Sequence, residues 1–76
     1  MYYKYRNLGG NSNVSSYSIG FDSIIVEFKD RSRYLYTYYS TSTAGVEHMK
    51  YLAKRGVGLN SYISRVVRKR YARRLR

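Results

Sequence analysis

Two kinds of side chain in this sequence are placed to do chemistry: clustered cations and repeated phenols. Seven of the last twelve residues are cationic (Arg65, Arg68, Lys69, Arg70, Arg73, Arg74 and Arg76), and no acid lies among them. Guanidinium and ammonium groups bind phosphate oxygens, and such contacts fix position without reading base sequence. Arg65, Arg68, Lys69 and Arg73 would form one face of a helix. The blander reading is a solvated helix end, where cations suit the macrodipole; that accounts for roughly two or three charges. The run exceeds that need. Arg31 and Arg33, at an expected hairpin tip, would add a second phosphate contact.

The chain carries eleven tyrosines and no tryptophan. A tyrosine ring stacks on unpaired bases, worth about 1–3 kcal/mol per base. Tyr34, Tyr36 and Tyr39 are the stacking candidates. For Tyr34 and Tyr36 the competing reading is packed core. Tyr38 and Tyr39 are neighbours, so one of them faces outward in either register of their strand.

Nothing in the sequence reads as an enzyme. His48 is the one histidine and there is no cysteine, so no metal-ligand set is expected. Glu47 and His48 are sequence neighbours and point about 100° apart on a helix, which is unsuited to acid–base pairing. No paired carboxylates and no Ser-His-Asp arrangement occur. Gly56-x-Gly58 is too short for a phosphate loop. No catalytic residue and no cofactor is expected. His48 reads as structural or solvent-exposed, and Asp22 as a turn cap.

The charge is lopsided. Residues 1–47 hold five Lys/Arg and four acids, whereas residues 48–76 hold ten Lys/Arg and none, giving the net charge of +11. A one-sided field of this size attracts polyanions. RNA is the first expected partner. A host protein or ribonucleoprotein is the second, and an anionic membrane surface the weakest, for want of bulky apolar residues beside the basic face. No apolar run approaches the roughly 20 residues of a membrane span. The absence of cysteine favours a cytoplasmic setting. At 76 residues the chain makes one domain with a small core.

The hydrophobic pattern divides the chain into short strands followed by helices. Residues 2–8 read as a short strand or ordered arm with Tyr3 and Tyr5 on one face; an exposed strand there would suit a homodimer. Residues 9–13 are a loop by composition. Val14–Phe21 alternates, with Tyr17, Ile19 and Phe21 on one face. Gly20–Ser23 is a turn. Ile24–Lys29 is a strand with Ile24, Val26 and Phe28 inward, and Arg33–Tyr39 is the next. Residues 40–43 supply helix N-cap candidates. Ala44–Lys54 reads as a helix with Val46, Met49, Leu52 and Ala53 on its apolar side, ended by Gly56 in a left-handed position. The fold class is α+β: a three- to four-stranded antiparallel β-meander followed by two α-helices packed on one face.

The hairpin register decides what Tyr34 and Tyr36 do. A three-residue loop, Asp30–Ser32, sets Phe28 opposite Tyr34, Val26 opposite Tyr36 and Ile24 opposite Tyr38, and the tyrosines join the core. A two-residue loop, Asp30-Arg31, sets Glu27 opposite Tyr34 and Ile25 opposite Tyr36, and the tyrosines form a solvent-facing platform. One residue of slip flips every side chain. The first register gathers the apolar residues of both strands on one side and is favoured.

The last stretch, Leu59–Arg76, reads as an amphipathic helix with Leu59, Tyr62, Ile63, Val66 and Val67 on one face. Beyond Val67 the stripe is occupied by Arg70 and Arg74, cations where core belongs. The helix is therefore expected to pack only to about Val67 and then to overhang or fray.

Several segments resemble one family. Ser15-Ser16-Tyr17-Ser18-Ile19-Gly20-Phe21-Asp22, Val26-Glu27-Phe28-Lys29, Tyr34-Leu35-Tyr36 and Gly56-Val57-Gly58-Leu59-Asn60-Ser61-Tyr62-Ile63 resemble, in order and spacing, the KTSC domain. That domain is named for its place at the C-terminus of some lysyl-tRNA synthetases and also stands alone in small bacterial and phage proteins. The resemblance covers roughly residues 13–71. It implies a small α+β fold and an RNA-binding role that is itself a proposal. The family's Val-Pro pair is replaced here by Tyr39-Ser40, its later tyrosine by Val67, and the stretch between Tyr36 and Gly56 is longer by about two residues. The Tyr-rich residues 1–12 and the basic tail 72–76 lie outside it. The expected function is a small basic nucleic-acid-binding protein, RNA before DNA. Its rival is a phage or other viral accessory protein that binds and inhibits a host nucleic-acid machine such as RNA polymerase or a CRISPR nuclease.

Overall fold

The computed structural model describes residues 1–10 and 12–76; of the expected loop 9–13, Asn11 lies outside the described residues. The element order is β1 (Tyr3–Lys4), β2 (Val14–Ile19), β3 (Ser23–Phe28), β4 (Arg33–Thr37), α1 (Thr43–Arg55), α2 (Leu59–Tyr62), a π-helical turn (Ile63–Val67) and β5 (Arg73–Arg74). The strands form one antiparallel sheet in the order β1-β2-β3-β4-β5. The fold is α+β, a meander followed by helices, with one strand more than the hydrophobic pattern predicts.

Strands β2 and β3 pair with an irregularity between Val14 and Ser16. One extra residue there resets the alternation, so Val14 and Tyr17, three apart, are both buried. Phe21, expected to share the face of Tyr17 and Ile19, instead sits in the turn and is 92% exposed.

The β3–β4 hairpin closes with Phe28 N–H donating to Ser32 O and Arg31 N–H to Phe28 O, each at 2.9 Å. Its three-residue loop is Lys29–Arg31, one residue earlier than expected, with Arg31 at φ 73°. That is the left-handed third position such a loop uses. Asp30 Oδ1 accepts from Ser32 N at 3.0 Å and from Ser32 Oγ at 2.6 Å, which fixes the turn. The register pairs Ile24 with Tyr36 and Val26 with Tyr34. The pairing is displaced by two residues from the favoured expectation. A shift of two leaves every side chain on its expected face.

Helix α1 starts at Ser42, whose Oγ accepts from Gly45 N at 2.9 Å, and ends at Gly56 with φ 82° and its N–H on Leu52 O. The Arg6 guanidinium donates to the carbonyls of Lys54 (2.6 Å) and Arg55 (3.1 Å), satisfying carbonyls the helix leaves unpaired. Those bonds tie the N-terminal arm to the far end of α1. The apolar side of α1, Val46, Met49, Leu52 and Ala53, packs with Ile24, Val26, Tyr36, Leu59, Ile63 and Val67. Each large aliphatic side chain buried there contributes about 1.5–3 kcal/mol.

The C-terminal stretch departs most from expectation. It is no helix to Arg76. The helical part stops at Val67, and Arg68 turns the chain at φ 52°. Arg70 N–H then donates to Val67 O, Ala72 N–H to Leu35 O (2.6 Å) and Leu75 N–H to Arg33 O (2.7 Å). The expected basic tail is thus an edge strand on β4. The physical reason is visible at Tyr71. A helix continued past Val67 would present Arg70 and Arg74 to the core. By turning back, the chain seats the Tyr71 ring 4.7 Å from Tyr34 and 6.2 Å from Tyr36, and it covers main-chain groups of β4 that would otherwise form an open edge.

Candidate nucleic-acid interface

The expected cationic helix back is not a single surface. Arg65 projects from the π-helical turn, Arg68, Lys69 and Arg70 line an exposed corner, and Arg73 and Arg74 lie on β5; all six are exposed. Arg73 is opposite Leu35 and Arg74 opposite Tyr34. Alternation therefore sends Arg73 to the open face of the sheet and Arg74 to the helix-covered face. The charges are spread over the π-helical turn, the corner and both faces of the edge strand.

Among the described residues folding forms no ion pair within this run, although Arg74 lies near enough to Asp30 and Arg76 to Glu27 for their charges to be felt. Three of the four carboxylates are engaged locally. Glu27 accepts from Ser16 Oγ at 2.6 Å and pairs with Arg33 at 3.4 Å. Glu47 pairs with Lys50 Nζ at 2.8 Å and accepts from the Tyr38 hydroxyl. Asp30 is held by Ser32. The Ser16 hydrogen bond lowers the Glu27 pKa, the Ser32 hydroxyl that of Asp30, and the Lys50 hydrogen bond that of Glu47. Among the described residues the ion pairs are Arg33–Glu27 and Lys50–Glu47, so none of the cations of 65–76 has a carboxylate partner.

The remaining sequence candidates divide. Arg31 is exposed at the hairpin tip. Arg33 is withdrawn: it is half-buried, paired with Glu27, and its guanidinium lies 4.6 Å from the Tyr2 ring centroid. Tyr36 is 2% exposed and belongs to the core, so stacking on a base is ruled out for it. Burial drives its phenol pKa strongly upward. Tyr39 is fully exposed, at 101%. Tyr34 is half-buried between Phe28 (5.8 Å, edge-on) and Tyr71 (4.7 Å), with the Arg74 guanidinium 5.5 Å from its ring centroid.

The fold brings two aromatic residues marked by the sequence, Phe28 and Tyr34, together with polar residues that the hydrophobic pattern does not single out. Asn13, Phe28, Lys29, Asp30, Ser32 and Tyr34 line an open concavity of about 640 Å³ beside the hairpin tip. Phe28 was expected inward and is half-buried at the rim of the core. The signal that could have marked this site is Phe28-Lys29-Asp30, an aromatic, a cation and an anion entering a turn. His48 is exposed, with its ring 4.6 Å from Tyr62 and 6.1 Å from Tyr51. Among the described residues no group of three His, Cys, Asp or Glu could hold a metal ion, and no helix is long and apolar enough to cross a membrane.

Comparison with family models, curated proteins and solved structures returns no match to the chain, so nothing there identifies a KTSC domain.

Proposed function

We propose that this chain is a small nucleic-acid-binding domain, RNA before DNA, of the kind its resemblance to the KTSC family implies. The observation that carries the reading is the run of exposed cations at 65–76, none of which forms an ion pair among the described residues, held in place by main-chain bonds on both sides. A cation run without ion pairs of its own attracts polyanions, and phosphate backbones are their usual form. Tyr39 and the Phe28–Tyr34 pair add ring surfaces for unstacked bases. Specificity from the phosphate contacts alone is modest.

The test is fluorescence anisotropy of nuclease-treated protein with labelled single-stranded RNA, duplex RNA and duplex DNA across a salt series. With about six phosphates neutralised, affinity falls roughly three-hundredfold for a single strand and about two-thousandfold for a duplex between about 50 and 200 mM salt. The triple variant Arg65→Glu, Lys69→Glu, Arg70→Glu keeps the fold, since these side chains make no recorded internal bond, and loses most of the affinity and of the salt slope. Equal binding by this variant would remove the cationic corner from the interface. A stoichiometric protein complex that survives nuclease treatment, with no nucleic-acid affinity, would replace the proposal by that of an accessory protein acting on a host nucleic-acid machine.

A further inference from the structure

We infer that the concavity beside the hairpin tip seats one unpaired nucleobase bearing an amino group (adenine, cytosine or guanine), with Lys29 and Arg74 holding the flanking phosphates. The inference rests on the nucleic-acid-binding reading and adds a base-recognising site to it. Three features converge.

The first is aromatic surface. Phe28 and Tyr34 meet edge to face, at 72° and 5.8 Å, and both line the concavity. Tyr71 supports Tyr34 from its other flank and helps hold the ring in place. A base stacked on rings already held by packing loses little further side-chain freedom in the protein.

The second is the placement of charge. Lys29 lines the concavity, Arg74 lies over the Tyr34 ring, and exposed Arg31 belongs to the same loop. These cations suit the phosphates either side of an extruded nucleotide.

The third is Asp30, an acid set among those cations. Both recorded bonds from Ser32 go to its Oδ1, and Oδ2 has no hydrogen-bond partner among those recorded. The Ser32 hydroxyl, the Ser32 amide and the nearby Arg74 charge keep the carboxylate ionised. Asp30 is part of the lining, and an ionised carboxylate oxygen left without a partner there would repel a phosphate and accept a hydrogen from an exocyclic amine. Uracil offers only N3–H, flanked by two carbonyl oxygens that the carboxylate repels. Asn13 is a further polar residue of the lining.

The experiment uses a short oligouridine and its variants with one central residue changed to adenosine, cytidine or an abasic unit. Affinity at fixed salt is read by anisotropy, and the Phe28 and Tyr34 ring protons are followed by NMR. The expected result is roughly fivefold or greater tightening for the amino-bearing base over uridine, weakest binding for the abasic unit, and shifts of the Phe28 and Tyr34 resonances. Asp30→Asn retains the Oδ1 acceptor for Ser32 and replaces the free oxygen by an amide donor. It preserves the turn and removes or inverts the preference. Tight, salt-sensitive binding that ignores the central base and leaves the Phe28 and Tyr34 rings unmoved overturns the base seat while leaving the cationic interface standing. No binding of any oligonucleotide at low salt overturns both.

Discussion

The phenol of Tyr5 accepts the backbone N–H of Leu59 at 3.3 Å, and both residues are buried. Leu59 opens α2, whose first N–H groups have no partner within the helix, so a side chain from the opposite end of the sequence supplies one. Tyr5→Phe leaves that N–H orphaned and is expected to cost about 1–2 kcal/mol, read as a lower urea midpoint at unchanged slope. An unchanged midpoint would mean that the bond contributes nothing. Little of this was legible. Alternation puts Tyr3 and Tyr5 on one face, but only the docking of α2 decides that Tyr5 is 2% exposed and Tyr3 54%. Arg33 carries the same lesson for the candidate site. Beside Arg31 it looks like a phosphate contact, yet its carboxylate partner Glu27 stands across the hairpin, and only the register reveals it. Alternation along a strand Arg33–Tyr39 lets one of Tyr38 and Tyr39 face outward without saying which; the strand ends at Thr37 instead, and Tyr39 is exposed in the turn that follows.

At the scale of elements, local chemistry and parity were the readable parts. The hydroxyl residues 40–43 and Gly56 announce the ends of α1, because a hydroxyl cap and a left-handed glycine need no tertiary information, and the structure selects Ser42 among the four as the cap. The faces of β3 and β4 survived a two-residue error in register because only parity matters to them. Strand β5 was not readable. Two exposed arginines carry no period, and the helical stripe from Leu59 to Val67 runs straight toward them. What overrides it is the slot over Tyr34 and Tyr36 that Tyr71 fills. Ala72→Pro tests this arrangement by deleting the 2.6 Å bond from Ala72 N–H to Leu35 O. It is expected to lower stability by about 1 kcal/mol. Amide exchange of Arg33 and Leu75 should accelerate while α1 stays protected, and unaltered exchange at both amides would show that β5 does not depend on this bond.

For the whole molecule, two opposed sets of titrating groups bound the range of stability. The pKa values of Glu27, Asp30 and Glu47 are lowered in the folded state, so their contribution is present above the ordinary carboxylate range and is lost as pH falls below about 4. That of Tyr36 is raised, so its contribution is present below the ordinary phenol value and is lost as pH rises beyond about 10. A plot of urea midpoint against pH is expected to show a plateau between these limits. The acid limb should steepen at low ionic strength, because protonating the carboxylates enlarges a net charge already at +11. A midpoint that keeps rising below pH 4 would contradict the assignment of the three carboxylates.

The corner at Arg68, Lys69 and Arg70 is exposed main chain between the π-helical turn and β5, with Arg70 tethered by its N–H to Val67 and by its carbonyl to the Thr41 hydroxyl. Its composition is also the cleavage signature of trypsin-like proteases, which cut after a cation on accessible backbone. The protein therefore carries its own footprinting reagent site. Scission there leaves residues 71–76 attached only through Tyr71 packing and the bonds to β4, and a polyanion lying across the corner shields all three peptide bonds together. The rate of tryptic nicking at this corner, identified by fragment mass and compared with cleavage after exposed Arg31, thus becomes a label-free measure of occupancy.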